Sequence, residues 1–232
     1  DGGVIVDSLV INNVQCYGDT NGKILVFVKN SMGNLQYSWY GNTLIKRKTT
    51  GFNVDSITSL NPGNYLLAIQ DNTCKDTLNF TINEPDSLRL SIISRNPICE
   101  LTPTEIITLP IGGTPNYQAI WSDGTVGMNC KNTINVDSTI SVYIRDKNGC
   151  MTDTLTTNLV MFDSLVGNIN WGRVCRNKPT RITANAGGGN GNYTYSWNIT
   201  TLDTSTFIYP LDKKTIATLL ISDNCMKPVK LQ

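Results

Sequence analysis

The chain has 232 residues, a formal net charge of +1, seven cysteines and no histidine. A net charge near zero gives no electrostatic reason to expect nucleic acid as a partner, and no apolar run reaches the roughly 20 residues that a membrane span needs. The lack of histidine excludes serine–histidine and cysteine–histidine nucleophiles and disfavours a zinc site. The composition therefore limits the possible enzyme mechanisms, and we expect a chain that is not an enzyme and that holds no metal and no cofactor.

The first third of the chain alternates short apolar strands with polar turns. Tyr65, Leu67 and Ile69, for example, follow the turn Asn61–Asn64 and alternate with residues that can face water. Alternation of this kind predicts seven strands, near residues 8–14, 23–29, 35–40, 43–48, 53–58, 64–70 and 76–83. Seven short strands separated by turns are typical of an immunoglobulin-like β-sandwich.

The same order of features occurs twice more along the chain. The aromatic strand "LQYSWY" returns as "YQAIWS" and "YTYSWN", and each copy lies between two cysteines at similar spacings. A unit of about 80 residues that occurs three times indicates tandem repeats. We therefore expect an all-β fold of tandem immunoglobulin-like β-sandwiches, three repeats in number, with boundaries at residues 1–85, 86–162 and 163–232.

Four aromatic residues are assigned to the cores of these repeats. Trp39, Trp121 and Trp197 lie in alternating apolar strands, which favours burial over a role in stacking on sugars. Tyr65 opens the sixth strand of the first repeat, where immunoglobulin-like sandwiches carry a tyrosine. Trp171 lies outside this pattern, and we expect it to be a wedge between the second and third repeats rather than an exposed sugar platform.

The other candidates for chemistry have plain structural interpretations. The loop "AGGGNGNY" precedes a strand, whereas a phosphate loop precedes a helix, so we expect it to be a hairpin connection. Asp19, Asp71, Asp123 and Asp146 lack the ligand spacing of a calcium loop and are predicted to be solvated turn residues. The basic run Lys46–Lys48 is predicted to be a charged edge strand rather than a binding patch.

The combined pattern resembles that of the SprB repeat. The pattern consists of a cysteine, a Gly/Asn-rich loop, a strand, "YxYSW", "PGxYxxxxxDxxC" and an "EP" linker, and it covers nearly the whole chain. The second repeat departs from it, because Glu100–Pro103 replaces the glycine-rich loop and the "PGxY" turn is missing. The SprB repeat occurs in very large surface adhesins of gliding Bacteroidota that are exported by the type IX secretion system. The resemblance implies immunoglobulin-like modules in an extracellular, cell-surface array, without catalytic activity.

A second pattern is similar to the O-glycosylation motif of Bacteroidota. The triplet Asp-(Ser/Thr)-(Leu/Ile/Thr) occurs seven times, near strand starts, where a glycan would point outward and shield edge strands. Asp-Ser and Asp-Thr pairs are also ordinary in turns and at strand edges, but the number of triplets favours glycosylation. The candidate acceptors are Ser8, Ser56, Thr77, Ser87, Ser138, Thr154 and Ser164.

The cysteines can pair in two ways. Within-repeat pairing would join Cys16 to Cys74, Cys99 to Cys150 and Cys175 to Cys225. In an immunoglobulin-like sandwich, however, the two cysteines of one repeat lie at opposite ends, whereas disulfide partners need Cα atoms within about 7 Å. The topology therefore favours staggered bridges between neighbouring repeats, Cys16–Cys150 and Cys99–Cys225. Cys74 and Cys175 would then pair with repeats outside this chain, and Cys130 would be a buried thiol.

The sequence thus favours a structural or adhesive segment of a long extracellular repeat protein. Its tandem modules would form a disulfide-stapled stalk or filament at the cell surface, which holds a distal binding element away from the cell. The expected partners are neighbouring repeats of the same chain, surface polysaccharide and other adhesin chains. The alternative is a carbohydrate-binding or spacer portion of a secreted polysaccharide-degrading enzyme.

Overall fold

The structure is a computed structural model. It describes residues 4–29, 31, 33–173, 175, 178–200, 203, 205–210 and 216–232. All regular secondary structure within these ranges is β-strand, as predicted. None of the described residues belongs to a helix of the length and apolarity that would cross a membrane.

The first repeat folds into two antiparallel sheets. Its seven strands are β1 (Ile5–Asn12), β2 (Gly22–Lys29), β3 (Leu35–Tyr40), β4 (Leu44–Thr50), β5 (Val54–Leu60), β6 (Gly63–Gln70) and β7 (Lys75–Ile82). Each strand lies within a few residues of its predicted position. One sheet has the order β1-β2-β5 and the other has the order β4-β3-β6-β7.

The second and third repeats use the same strand order. The strands of the second are β8 (Arg89–Ile93), β9 (Thr104–Ile111), β10 (Gln118–Trp121), β11 (Asn129–Asn132), β12 (Ser138–Arg145) and β13 (Leu155–Leu159). Those of the third are β14 (Val166–Trp171), β15 (Pro179–Gly187), β16 (Thr194–Trp197), β17 (Thr206–Pro210), β18 (Leu219–Ser222) and β19 (Val229–Leu231). The sheets are β8-β9-β11 with β10-β12-β13, and β14-β15-β17 with β16-β18-β19.

This order identifies the fold class. In every repeat the first, second and fifth strand positions share one sheet, and the third, sixth and seventh share the other. That division is the one found in immunoglobulin-like sandwiches. An equivalent of β4 occurs only in the first repeat among the described residues. The predicted all-β fold of tandem immunoglobulin-like sandwiches is therefore confirmed.

The core of the first repeat follows directly from strand alternation. Ile24, Val26 and Val28 of β2 are buried and face the second sheet, while the residues between them face outward. Tyr37 and Trp39 of β3 are fully buried on the opposite side. These side chains belong to one hydrophobic cluster that closes the sandwich.

The core of the third repeat includes residues from the end of the second. Trp197 and Phe207 pack edge to face, with ring centroids 5.0 Å apart. Cys99, Met161 and Phe162 pack against the same cluster. The hydrophobic effect therefore links the third sandwich to the chain that precedes it.

By its contacts the chain divides into two compact units. One comprises Asp1–Ser91, Leu109–Ile120 and Tyr143–Asp153, and the other comprises Ile92–Thr108, Trp121–Val142 and Thr154–Gln232. The division passes through the strands of the second repeat, so each unit contains one complete sandwich and one end of the second. The boundaries 1–85, 86–162 and 163–232 stay a prediction from the sequence.

The loop "AGGGNGNY" is not a hairpin connection. It joins β15 to β16, and these strands belong to different sheets. Gly188, Gly189 and Gly191 have positive φ, for example +70° at Gly188 and +60° at Gly189, which lets the chain cross between the sheets. The expectation of a hairpin was wrong because consecutive strands in this fold change sheet at this point.

Candidate functional site: the disulfide junctions between repeats

A buried aspartate stabilises the turn between the last two strands of each repeat. Asp71, Asp146 and Asp223 are only 5 %, 4 % and 2 % exposed. The prediction that Asp71 and Asp146 are solvated was therefore wrong. An aspartate two to four residues before a cysteine recurs in all three repeats, and this recurrence could have indicated the role.

In the second repeat the carboxylate of Asp146 connects two loops. Its Oδ1 accepts hydrogen bonds from the amide nitrogens of Asn148 and Cys150, both at 2.9 Å. Its Oδ2 accepts one from the amide nitrogen of Thr114 at 2.8 Å. Satisfying three amide donors makes the buried charge tolerable and fixes the backbone at Cys150.

Asp223 has the same role in the third repeat. Its Oδ2 accepts a hydrogen bond from the amide of Asn190 at 2.7 Å, and its Oδ1 accepts from Cys225 and Met226 at 3.0 and 2.8 Å. Burial raises the pKa of this carboxyl, but the hydrogen bonds from Met226, Asn190 and Cys225 outweigh burial and lower the pKa overall. The carboxylate is thus held ionised where it positions Cys225.

The cysteine between the first two strand positions lies on a fixed turn of its own. The carbonyl of Cys16 accepts a hydrogen bond from the amide of Asp19 at 3.1 Å, and the amide of Cys16 donates to Asp19 Oδ2 at 3.2 Å. Gly18 donates to Glu84 Oε2 at 3.0 Å. Glu84 belongs to the "EP" linker, so the linker after the first repeat also holds the cysteine turn.

The first junction is a disulfide between Cys16 and Cys150. Their Cα atoms are 5.7 Å apart, and 134 residues separate them in sequence. Beside the bridge, Asn148 Nδ2 donates hydrogen bonds to the carbonyl of Gln15 and to Thr114 Oγ1, both at 3.0 Å. The bridge therefore joins the first repeat to the last turn of the second, next to a polar contact between the same two loops.

The second junction is a disulfide between Cys99 and Cys225. Their Cα atoms are 4.6 Å apart, with a sequence separation of 126. The amide of Glu100 donates to the carbonyl of Cys225 at 3.1 Å, and Glu100 Oε2 accepts from the amide of Lys227 at 3.1 Å. The two loops thus pair through backbone as well as sulfur, and Cys225 is buried.

These are the staggered pairs that the topology favoured, and within-repeat pairs do not form among the described residues. In the first repeat the amide of Val14 bonds to the carbonyl of Asn83, just past the end of β7. Cys74 precedes the start of β7, so it is about 30 Å from this point at 3.3 Å per residue. Cys16 and Cys74 therefore lie near opposite ends of one sandwich.

The remaining cysteines are thiols. Cys130 is buried, as predicted, and its Sγ donates to Asp123 Oδ2 at 3.3 Å. Burial, and then this hydrogen bond to an acidic neighbour, raises the pKa of the Cys130 thiol. Cys74 is half-buried at the turn position that Cys150 and Cys225 occupy, and Cys175 is exposed.

The predicted core aromatics are in the core, with one difference. Trp39, Trp121 and Trp197 are buried, and Trp121 Nε1 donates to the carbonyl of Gly127 at 2.9 Å. Tyr65 is only half-buried, because its hydroxyl donates to the carbonyl of Asn61 at 2.8 Å and must reach the surface turn. This bond between the start of the sixth strand and the residues before it is a tyrosine corner.

The basic run on β4 does form an edge strand, but its lysines reach inward. Lys46 Nζ lies 2.8 Å from Asp55 Oδ1 and Lys48 Nζ lies 3.7 Å away. Asp55 belongs to β5 in the opposite sheet and is 5 % exposed. The ion pair therefore fastens the two sheets together along one side of the sandwich.

The predicted glycosylation acceptors differ in exposure. Ser8, Thr77, Thr154 and Ser164 are exposed, whereas Ser56, Ser87 and Ser138 are half-buried. For Ser56 the preceding Asp55 already has a structural role as a buried ion-pair partner, which accounts for that triplet without a glycan.

Two Asp-Ser-Leu triplets have a packing role that the sequence did not show. The carbonyl of Ser87 lies where a Cβ of Gly112 would stand, and the carbonyl of Ser164 lies where a Cβ of Gly188 would stand. Asp7–Leu9 lies inside β1, whereas the other two triplets precede β8 and β14. The paired glycines in the facing loops were the available signal.

Trp171 is not a wedge between repeats. It is 58 % exposed and lies at the end of β14, five residues from Val166 and thus away from the linker that enters the third repeat. The sequence suggested a wedge because Trp171 lies outside the core pattern of the repeats. A strand of six residues carries the side chain about 17 Å along the sandwich.

Residues 8–44 match the SprB repeat family. The resemblance inferred from the sequence is confirmed over that part of the chain. Among curated proteins, none has a sequence that matches this chain.

Several solved structures of tandem domains are similar to the chain. The three N-terminal domains of the bacteriophage RB49 Highly Immunogenic Outer Capsid protein align with 98 % of this chain and 94 % of their own, at 11 % identity and a TM-score of 0.49. The titin I-band fragment I67-I69 aligns with 98 % of this chain and 95 % of its own, at 13 % identity and a TM-score of 0.46. A tetra-tandem repeat in the extending region of a large adhesion protein aligns with 98 % of this chain and 73 % of its own, at 12 % identity and a TM-score of 0.32. At these identities and TM-scores the likeness carries no information about function.

Proposed function

We propose that the chain is a structural segment of an extracellular repeat protein, in which disulfides between successive repeats stiffen a cell-surface stalk. The single observation that carries this proposal is that both disulfides join different repeats. A bridge within a sandwich stabilises only that sandwich, whereas a bridge between sandwiches limits their relative motion. The cysteines are therefore placed for linking modules.

Two further observations support an extracellular location. Disulfides persist in oxidising compartments and are rare where thiols are kept reduced. Residues 8–44 match the SprB repeat, and the sequence resemblance to that family implies a surface array exported by the type IX system. The same resemblance supports a role in adhesion and in gliding, without enzymatic activity.

The polar groups at the junctions also favour a mechanical role over catalysis. The carboxylates of Asp146 and Asp223 are occupied by amide donors, and each fixes the cysteine that follows it. Groups used in this way position the backbone and are not available to move protons on a substrate.

Glycans on the exposed acceptors would add to this function. Ser8, Thr77, Thr154 and Ser164 present their hydroxyls to solvent, and attached glycans would shield edge strands from pairing with other chains. Intact mass of the native protein, compared with the sequence mass, tests this part of the proposal.

The location is tested on cells that produce the full-length protein. Antibodies raised against this chain should label intact cells, and protease added outside should remove the label. Label that appears only after cell lysis would contradict the proposal. Deletion of residues 1–232 from the full-length gene should weaken attachment of cells to a surface, while unchanged attachment would contradict the adhesive role.

Polysaccharide binding is a second candidate, because Trp171 is 58 % exposed. An exposed indole can stack on a sugar ring. The native chain and a Trp171→Ala variant should then differ in retention on surface polysaccharide from the producing cells. Equal retention of the two proteins would contradict a sugar-binding role for this residue.

A further inference from the structure

The two disulfides overlap along the sequence. The loop closed by Cys16 and Cys150 contains Cys99, and the loop closed by Cys99 and Cys225 contains Cys150. Between Cys16 and Cys225 the shortest covalent route therefore crosses to Cys150, runs backwards along the chain to Cys99 and crosses again to Cys225. This route contains about 50 residues, whereas the backbone from Cys16 to Cys225 contains about 210.

We propose that this overlap limits the extension of the chain and directs tension through the second repeat, from Cys150 back to Cys99, against the direction of the sequence. When the chain is pulled from outside Cys16 and Cys225, residues 17–98 and residues 151–224 lie only on longer, parallel routes, which are slack once the shortest route is straight. The bridges then limit extension to about one quarter of the length that the backbone would allow. The inference rests on the proposed function only in holding that the protein is under tension in its natural setting.

The overlap loads the second repeat differently from the other two. In the first repeat β2 to β7 lie on a longer route, from Cys16 forward to Cys99 and across to Cys225, which contains about 80 residues. In the third repeat β14 to β18 lie on another longer route, from Cys150 forward to Cys225, which contains about 75 residues. Both longer routes are slack once the shortest one is straight. The second repeat is therefore the element whose unfolding sets the extension.

The contacts at each bridge suit this use. Cys16 lies on a turn held by Asp19, and Cys150 lies on a turn held by Asp146. At the other bridge the amide of Glu100 bonds to the carbonyl of Cys225. Tension therefore passes between turns whose backbone is already fixed, and neither bridge must first draw out a loose loop.

Single-molecule force spectroscopy on the oxidised chain, with handles fused at both ends, tests the proposal. The contour length between Cys16 and Cys225 after complete unfolding should correspond to about 50 residues. Adding a reductant should raise it about fourfold, to about 210 residues. A contour length of about 210 residues without reductant would overturn the proposal.

Single substitutions give a signature that independent bridges cannot give. Cys150→Ser should lengthen the route to about 80 residues, Cys225→Ser to about 75, and the double variant to about 210. Each single variant thus adds about 25 to 30 residues, and the double variant adds about 160. Additive lengthening would overturn the overlap. Peptide mapping of each oxidised variant before it is pulled shows that the remaining native bridge has formed.

Cys130→Ser is the matched control, because Cys130 is a buried thiol that takes part in neither bridge. It should leave the contour length at about 50 residues. Failure of antibody to label intact cells would refute the proposed function, but it would leave these lengths unchanged. The two failures are therefore distinguishable.

Discussion

The indole Nε1 of Trp39 donates a hydrogen bond of 2.9 Å to Asp55 Oδ2 across the interior of the first sandwich. Trp39 belongs to β3 and Asp55 to β5, so the bond joins the two sheets. Lys46 reaches the other carboxylate oxygen from the edge strand. The core tryptophan of this repeat therefore also joins the two sheets by a hydrogen bond, which its apolar neighbours in the sequence do not indicate.

Replacement of Asp55 with alanine should destabilise the first repeat. The substitution leaves the buried indole N–H of Trp39 without its acceptor and the ammonium of Lys46 without its ion-pair partner, with only the carbonyl of Ser56 remaining, which costs about 3 kcal/mol. Hydrogen exchange of peptides from β3 and β5 measures the loss as faster exchange. Asp76→Ala, at an exposed aspartate that accepts a hydrogen bond from the amide of Thr77, is the control and should leave exchange unchanged. Equal exchange in the two variants would contradict the role of Asp55 in joining the two sheets.

Acid should weaken the first repeat through the same carboxyl. Burial raises the pKa of Asp55, but hydrogen bonds from Lys46 and Trp39 outweigh burial and hold the pKa below its ordinary value of 3.8. Because the folded state binds this proton less readily than the unfolded state, the stabilisation is present above the ordinary value. It is lost as the pH falls through the lowered pKa. Hydrogen exchange of β5 as a function of pH, corrected for intrinsic exchange, should show this loss, and Asp55→Asn should remove that part of the dependence.

Replacement of Gly112 with alanine should damage the second repeat more than a positive φ alone can explain. The new Cβ would overlap the carbonyl of Ser87, and φ is +77°, so we expect a loss of about 3 kcal/mol. Gly124, with φ +86° and nothing within 4 Å of a new Cβ, is the matched control and should cost about 1 kcal/mol. The free energies of unfolding of the two variants are compared by urea unfolding, which is monitored by hydrogen exchange. Similar losses would show that the contact with Ser87 is unimportant.

Removal of the Asp146 carboxylate should loosen the first junction. Asp146→Ala leaves the amides of Thr114, Asn148 and Cys150 without their acceptor, so the turn that carries Cys150 loses its fixed backbone. We expect the Cys16–Cys150 bridge to be reduced several-fold faster by dithiothreitol, measured by trapping thiols and mapping peptides. The Cys99–Cys225 bridge of the same molecule is the internal control and should keep its rate. Equal acceleration of both bridges would indicate general unfolding instead.

Much of the fold follows from local pattern. Alternating residues in segments such as Ile24–Val28 place one face in the core, so the strand positions and the sandwich could be predicted. The staggered disulfides could also be predicted, because the strand order of an immunoglobulin-like sandwich puts Cys16 and Cys74 near opposite ends. Both inferences use only the period of strands and the length of the chain between them.

The features that were missed depend on tertiary contacts. Asp146 looks like an ordinary turn residue, because one of the amides that its carboxylate accepts from, that of Thr114, belongs to a loop distant in sequence. The role of Gly112 depends on the linker carbonyl of Ser87, about 25 residues earlier in the chain. Trp171 was misplaced because its exposure depends on how far β14 runs from the linker. In each case the deciding partner lies in another element.

The wide spacing of the bridged cysteines constrains how the protein can mature. Cys16 leaves the ribosome or the export channel 134 residues before Cys150 and encounters Cys74 and Cys99 first. All seven strands of the first sandwich are complete by Ile82, so this sandwich can fold before Cys150 arrives and so keep Cys16 apart from Cys74. Correct oxidation therefore requires that conformational folding precedes it, and an oxidant that acts too early would trap the chain with the wrong pairs.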